Sequence, residues 1–397
     1  MTRRLRLGVA GLGRGFMLML PTLAHHPRVE LVACADPRPE ARKQFLNDFP
    51  GSRAYDSVEA LCDDPEAEAI YLATPQQFHA AQAILAARAA RHVMVEKPMA
   101  VTLAECEAMI EAARRAGTVL MVGHSHGQDG PVRHARRLIA RGLFGAPRLI
   151  HALNFTDFLW RPRRPEEFDP ALGGGVVHIQ ATHQLDVIRV LGGGLLAAIR
   201  GQAFALDAAR PTPGAYTAVA TFADGAAATA TYSGHGRYDS DALMDWIGET
   251  GQNKPPSWPG AARGRLASMT PAEEIAARVA RGYGGAGQPP GLPRAEPPDH
   301  HHHFGFVLIQ CEHADLRLTP DGVEIHDDTG LRLERTPLPA VPRGEVLDEL
   351  CDAALQGVPP RHDGAWAMAT LEACLALLES TRSGREVALH HQAGFRD

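Results

Sequence analysis

No Cys-x-x-Cys pair occurs in this chain of 397 residues, and its six cysteines (Cys34, Cys62, Cys106, Cys311, Cys351 and Cys374) stand far apart. A zinc site or a disulfide frame needs ligands at short, regular spacings, so reduced thiols and no metal are expected. Long apolar runs are missing too. The longest early one, Phe16 to Leu20, stops at Pro21 and is far too short to span a bilayer. The basic start, Met1-Thr2-Arg3-Arg4, is not followed by a cleavable apolar segment. Nor is there an excess of positive charge: the formal net charge is −6, which supplies no basic face for a nucleic acid. These absences point to a cytoplasmic protein that binds neither membrane nor nucleic acid.

What is present is the composition of a soluble globular protein, 45% hydrophobic and 22% charged, in a chain too long for one ordinary core. The first third alternates strand and helix patterns. Leu5 to Ala10, Val29 to Ala35, Ile70 to Ala73, Val93 to Val95 and Val119 to Val122 read as apolar strands. Helical runs separate them: Phe78 to Ala90, then Leu103 to Ala116, opened by a Thr102/Glu105 capping box and stopped by Gly117. Such alternation predicts an α/β fold, a doubly wound parallel Rossmann sheet over residues 1–123. From about Leu149 the strands alternate in polarity and follow one another (Ala215 to Phe222, Ala226 to Tyr232, Leu316 to Thr319). That predicts an α+β domain with a largely antiparallel sheet over residues 124–397. Residues 251–299 are crowded with Pro and Gly around one helix that starts at Thr270-Pro271, a candidate lid or subunit contact. Two helices end the chain, the second with Met368, Leu371, Leu375 and Leu378 as its buried stripe.

Gly11-Leu12-Gly13-Arg14-Gly15 follows the first strand and opens a helix. Glycines there let backbone N–H groups reach a pyrophosphate at the positive end of the helix dipole. Phe16 stands where the third glycine of that fingerprint is usual. Asp36, roughly twenty residues on at the tip of the second strand, can bind the adenosine ribose hydroxyls, which favours NAD. Arg38 leaves NADP open, since a guanidinium can take a 2′-phosphate. Glu96-Lys97-Pro98 ends a later strand, at the rim where such sheets bind ligands. Partial desolvation beside a nicotinamide cation would tune Lys97 for proton transfer.

The runs Ala73-Thr74-Pro75-Gln76-Gln77-Phe78-His79 and His92-Val93-Met94-Val95-Glu96-Lys97-Pro98 resemble the signature of the Gfo/Idh/MocA oxidoreductases. The resemblance implies a Rossmann domain followed by an α+β domain with an open, largely antiparallel sheet for substrate and oligomerisation, NAD, a catalytic lysine at Lys97, cofactor contacts from Gly11, Gly13, Arg14, Gly15, Phe16, Asp36, Arg38, Thr74, His79, Glu96 and Lys97, and a second catalytic segment of the form Gly-Gly-Gly, Asp, His, Asp. Here that segment is Gly173 to Asp186: His183 and Asp186 match, and Ile179 replaces the first carboxylate. His183 is then the catalytic partner of Lys97, with Gln180 and Asp186 beside it on the helix. Gly123-His124-Ser125-His126, Thr156 to Glu167, His303-Phe304-Gly305 and Arg361-His362-Asp363-Gly364 are similar to the phthalate dihydrodiol dehydrogenase branch, which oxidises ring dihydrodiol carboxylates to catechols.

That resemblance makes His124, His126 and His303 candidate substrate contacts. A dianionic substrate wants forked cations, and Arg161, Arg163 and Arg164 offer them, unless they pair with Glu166 and Glu167 in a solvated loop. Phe158 and Trp160 are candidate walls for an aromatic product or simply core. The four consecutive histidines His300 to His303 have no acidic or cysteine partner at metal-ligand spacing. Two other readings stay open: a sugar or cyclitol dehydrogenase of the same family, and a non-catalytic NAD-binding regulator. An open sheet face needs covering, which predicts a homodimer or homotetramer.

Overall fold

In the computed structural model, which describes residues 3–256, 260–287, 291–293 and 297–397, the apolar runs of the first third become strands buried on both faces. They are β1 (Leu5–Ala10), β2 (Val29–Ala35), β3 (Arg53–Tyr55), β4 (Ala69–Leu72), β5 (His92–Val95) and β6 (Leu120–Val122). They pair in parallel in the order β3-β2-β1-β4-β5-β6. The order reverses between β1 and β4, so the carboxyl ends of those strands flank the crevice in which doubly wound sheets hold ligands. The helix Leu103–Ala116 has both halves of its capping box and ends on Gly117 at φ +66°, as its sequence predicts.

The second sheet holds, among the described residues, β7 (Pro147–Phe155), β8 (Leu196–Phe204), β9 (Ala215–Phe222), β10 (Ala227–Ser233), β11 (Phe306–Cys311), β12 (Ala314–Thr319), β13 (Gly322–Asp327), β14 (Gly330–Arg335) and β15 (Val387–Ala388). Their order is β14-β13-β12-β11-β7-β10-β9-β8-β15. Every neighbouring pair is antiparallel except β7 with β10, which run parallel from Leu149/Ala227 to Phe155/Ser233. Alternation along β7 and β10 buries one face and leaves the other half-open. The helix Thr182–Leu191 lies on the buried face, where Gln184 donates to the Thr231 carbonyl at 3.2 Å and accepts from the Tyr216 hydroxyl at 2.8 Å.

The chain forms two compact units. One is residues 1–123, 271–297 and 340–368; the other is 124–270, 298–339 and 369–397. Segments 271–297 and 340–368, which the sequence reading gave to the second domain, therefore cluster with the dinucleotide unit. Their reason is apolar: Tyr283, Leu347, Leu350 and Cys351 share one core with Phe16 and Phe45, with Leu292 packed against it. The 251–299 segment thus serves both units, and its residues 257–259, 288–290 and 294–296 lie outside the described residues. The last long helix, residues 364–383, also departs from expectation. Leu371 is buried, but Met368, Leu375 and Leu378 are half-buried, and Trp366, Thr370, Ala373, Cys374 and Leu377 form the inner face. Small and polar residues held that face, so an apolar count missed it. Among the described residues no helix is long and apolar enough to cross a membrane.

Candidate active site

The dinucleotide end is built on the turn after β1. Gly11 sits at φ +86°, and a Cβ there would meet the Ala73 carbonyl oxygen at 2.8 Å, so the residue has to be glycine. Gly13 caps the helix Arg14–His25 without any side-chain hydrogen bond, and the first turn carries no acidic residue. Nothing lies within 4 Å of where a Gly13 Cβ would stand. An uncapped positive helix end with room above its first N–H groups suits a pyrophosphate. Gly15 brings Ala73 and the Glu96 side chain close, at 3.6 and 3.5 Å from a built Cβ. Arg14 is exposed beside them. Phe16 is a correction: its side chain is fully buried between Phe45 and Tyr283, an element of the core rather than a cofactor contact.

Asp36 is 5% exposed and already accepts four hydrogen bonds. Leu12 N and Arg38 Nη2 donate to Oδ2 at 2.8 and 3.0 Å; Arg38 N and Nε donate to Oδ1, both at 2.9 Å. Replacing Asp36 by alanine frees Arg38 and removes the carboxylate that repels a 2′-phosphate. Calorimetry of the variant should then show a narrowed gap between NAD and NADP affinities.

Thr74, just beyond β4, donates its hydroxyl to Gln82 at 2.5 Å. His79 is 1% exposed, with Nε2 2.8 Å from the Thr74 carbonyl and Nδ1 3.1 Å from the Pro98 carbonyl. The ring is a strut between the loops that follow β4 and β5, which corrects its expected role as a cofactor contact. Burial holds its pKa below the ordinary histidine range, against the pull of those carbonyls and of Glu96. His79→Ala removes the strut and should cost about 1–3 kcal/mol in denaturant unfolding.

Glu96 and the half-buried Lys97 stand where β5 ends. The Tyr71 hydroxyl donates to Glu96 Oε1 at 2.5 Å, and burial first, then the Glu96 charge, push the Tyr71 pKa well up. Tyr71 therefore fixes the carboxylate next to Lys97. The sequence reading missed it, although a tyrosine inside the otherwise aliphatic β4 has to find a partner for its hydroxyl.

In the second unit a π-helical turn, Val177–Ala181, precedes the helix Thr182–Leu191. Ile179 and His183 are its half-exposed positions, whereas Gln180 and Asp186 are buried at 6% and 1%. Of Gln180, His183 and Asp186, expected side by side, only His183 thus keeps a half-exposed place, next to Ile179. His183 meets His126 edge-on at 4.8 Å between ring centroids and tilts against Phe304 at 5.0 Å. His126 bonds Asp129 at 2.8 Å through Nδ1. Tyr232 stacks on Phe304 at 6.1 Å, and Tyr216 on Tyr232 at 5.7 Å. Buried His124 places Nδ1 3.7 Å from an Asp186 oxygen, an ion-pair distance rather than a hydrogen bond. The structure thus gathers His126 and His183 with the ring of Phe304, just before β11, and with that of Tyr232 from β10, which no motif had marked.

Other candidates are committed elsewhere. His303 accepts from Gly305 N at 3.0 Å and bonds the Ile247 carbonyl at 2.9 Å, so both nitrogens serve the backbone and it is no substrate contact. His300 pairs with Asp321, and His301 with Thr336. Among the described residues no three potential metal ligands converge. Arg163 is half-buried, pairs with Glu167 at 3.3 Å and lies 3.6 Å over the Phe158 ring. Arg164 pairs with Glu166 at 3.2 Å. These two follow the loop-pairing alternative. Arg161 pairs with Asp157 at 2.8 Å and remains 39% exposed, with Glu249 3.8 Å away. Phe158 and Trp160 are buried, and the Trp160 indole donates to the His235 carbonyl.

A Rossmann unit with an uncapped glycine turn and a lysine at the rim, followed by a sheet unit with a histidine–aromatic cluster, defines a nicotinamide-dinucleotide oxidoreductase. Residues 5–124 match the oxidoreductase family with the NAD-binding Rossmann fold, Gfo/Idh/MocA, and residues 132–253 match the Gfo/Idh/MocA C-terminal domain. The chain belongs to that family, and its cofactor is NAD. Over 376 residues, 94% of each protein, it is 46% identical to 1-carboxy-3-chloro-3,4-dihydroxycyclohexa-1,5-diene dehydrogenase of Comamonas testosteroni. A dehydrogenase-class crystal structure from Bordetella bronchiseptica RB50 superposes with a TM-score of 0.90 at 37% identity, covering 97% of this chain and 100% of that one. The WlbA dehydrogenase of Bordetella pertussis, crystallised with NADH and UDP-GlcNAcA, shares the fold at a TM-score of 0.67 and 20% identity, over 98% and 99% of the chains.

Proposed function

We propose that this enzyme oxidises a cyclic cis-dihydrodiol carboxylate to the corresponding catechol with NAD, in the breakdown of aromatic acids. The observation that carries the reading is the 46% identity, sustained over 94% of both chains, to a dehydrogenase named for a carboxylated dihydroxycyclohexadiene. The cluster of His126, His183, Phe304 and Tyr232 supports it, because flat rings suit a diene ring that becomes a planar catechol. So does Ile179, which leaves the half-exposed face of that helix with an apolar neighbour for His183 where a sugar would need polar ones.

In this reading Lys97 takes the hydroxyl proton, with Glu96 and Tyr71 setting its surroundings, and His183 orients that hydroxyl. NAD, held at the glycine turn after β1, would supply the hydride acceptor. Loss of the proton and hydride leaves a hydroxy ketone, and transfer of the proton from the neighbouring CH–OH carbon to the ketone oxygen then gives the aromatic catechol, which drives the reaction forward. The Asp129 carboxylate, on His126 Nδ1, fixes the ring that packs against His183. The open face of the second sheet is covered by another copy of the chain, and the free thiols suit a reducing cytoplasm.

Arg161 is the most exposed of the three guanidiniums, at 39% against 37% for Arg164 and 10% for Arg163, and it is the candidate for a substrate carboxylate. Arg161→Gln should lower kcat/KM for a carboxylated diol by about ten- to a hundredfold and leave an uncharged diol nearly unaffected. Arg164→Gln should change neither. Equal losses for charged and neutral diols would remove Arg161 from substrate recognition.

A further inference from the structure

The ribose end of the dinucleotide site is closed more tightly than an NAD site requires. All four acceptor directions of the Asp36 carboxylate are filled, three of them by Arg38. Arg38 is itself held from the other side. Its Nη2 donates to the Leu12 carbonyl at 2.9 Å and its Nη1 to the Tyr283 carbonyl at 3.4 Å. Tyr283 belongs to the Gly-rich turn 281–287, which is docked on the same unit by three further contacts. Tyr283 N donates to Leu12 O at 3.1 Å, its hydroxyl bonds Asp48, and its ring meets Phe16 edge-on at 5.1 Å. The turn fits only because it is glycine where it touches. A Cβ on Gly282 would stand 3.1 Å from Arg38 Nη1, and one on Gly284, at φ +72°, would stand 2.9 Å from the Ala41 Cα.

We infer that the turn 281–287 is a selectivity clasp, which by holding the Arg38 fork on Asp36 denies that guanidinium to a 2′-phosphate and keeps the site for NAD. An arginine two residues past the ribose-binding carboxylate is otherwise well placed to accept a phosphate. Here its planar fork matches Asp36 and the two carbonyls together. To reach a 2′-phosphate it has to leave a buried carboxylate uncompensated, which is costly. The Pro/Gly-rich insertion thereby acquires a role that lies in the cofactor rather than in the substrate.

The test is binding of NADH and NADPH to the whole protein, by calorimetry, with hydrogen exchange reporting on residues 281–287. Gly284→Ala lifts the turn from the helix Pro39–Asp48 and so frees Arg38. The NADPH affinity relative to NADH should then rise by about ten- to a hundredfold, the value of a charge-assisted bond, together with faster exchange in the turn. Arg38→Ala should move the ratio the other way, because it exposes Asp36 to the phosphate and leaves it free for the ribose hydroxyls. The double variant should lose the NADPH gain. A ratio that stays within about twofold of the parent in Arg38→Ala, or in Gly284→Ala with a loosened turn, would overturn the clasp. Arg38 is one-third exposed, so its variant should fold: a ratio moved by tighter NADH binding supports the clasp, whereas one moved only by lost NADPH affinity means that Arg38 already serves the phosphate and overturns it, even if Gly284→Ala does not fold.

Discussion

Replacing Lys97 by alanine is expected to slow turnover by about 10²–10⁴-fold, the usual contribution of a positioned general base, while NADH binding stays close to the parent value. The lysine stands at the carboxyl end of β5, the strand next to β4, where the strand order reverses against β1. The glycine turn, Asp36 and the uncapped helix end, which hold the dinucleotide in the proposed reading, are separate from it in the chain. Affinity and turnover should therefore part company in this variant. His183→Ala should lose less, since it orients the hydroxyl and its removal leaves the base in place. The check is single-turnover NADH formation alongside NADH titration. A Lys97→Ala enzyme with near-normal turnover would take the lysine out of the chemistry. One that fails to bind NADH would make it a binding residue.

Phe16→Ala is expected to cost about 3–5 kcal/mol of stability, the range for emptying a buried aromatic site. Phe16 has no exposed surface, and its ring lies 5.1 Å from Tyr283 and 6.3 Å from Phe45. Its loss opens a cavity where the turn 281–287 docks on the helices that follow β1 and β2, which cannot collapse without moving those helices. Denaturant unfolding should show the loss in midpoint with little change in the NADH affinity of the protein that remains folded. A small stability change with a selective loss of NADH binding would place Phe16 in the cofactor site after all.

Much of the first unit was legible in the sequence because its signals are local. Leu5 to Ala10 and Val29 to Ala35 are bounded by turn residues and match β1 and β2, and Thr102, Glu105 and Gly117 mark both ends of a helix. The short β3 escaped notice, since three residues carry no period. What the sequence hid depends on distance along the chain. Tyr283 reaches Phe16 and Arg38 across some 250 residues, and nothing local announces that meeting. The π-turn at Val177–Ala181 altered which residues face outward, so Gln180 turned inward while Ile179 and His183 kept their face. The arginine loop was ambiguous because Glu166 and Glu167 lie next to it, and the structure spends Arg163 and Arg164 on them. His79 was legible as a special residue, but its partners are backbone carbonyls, which no motif encodes.

The most direct measurement is NADH formation by the purified protein against a panel of cis-dihydrodiol carboxylates, uncharged cis-dihydrodiols, sugars and cyclitols at equal concentration. The account predicts the highest kcat/KM for a cyclic dihydrodiol carboxylate, with a catechol as product and with that activity abolished in Lys97→Ala. Efficient oxidation of a sugar or cyclitol, with no turnover of any dihydrodiol, would contradict it.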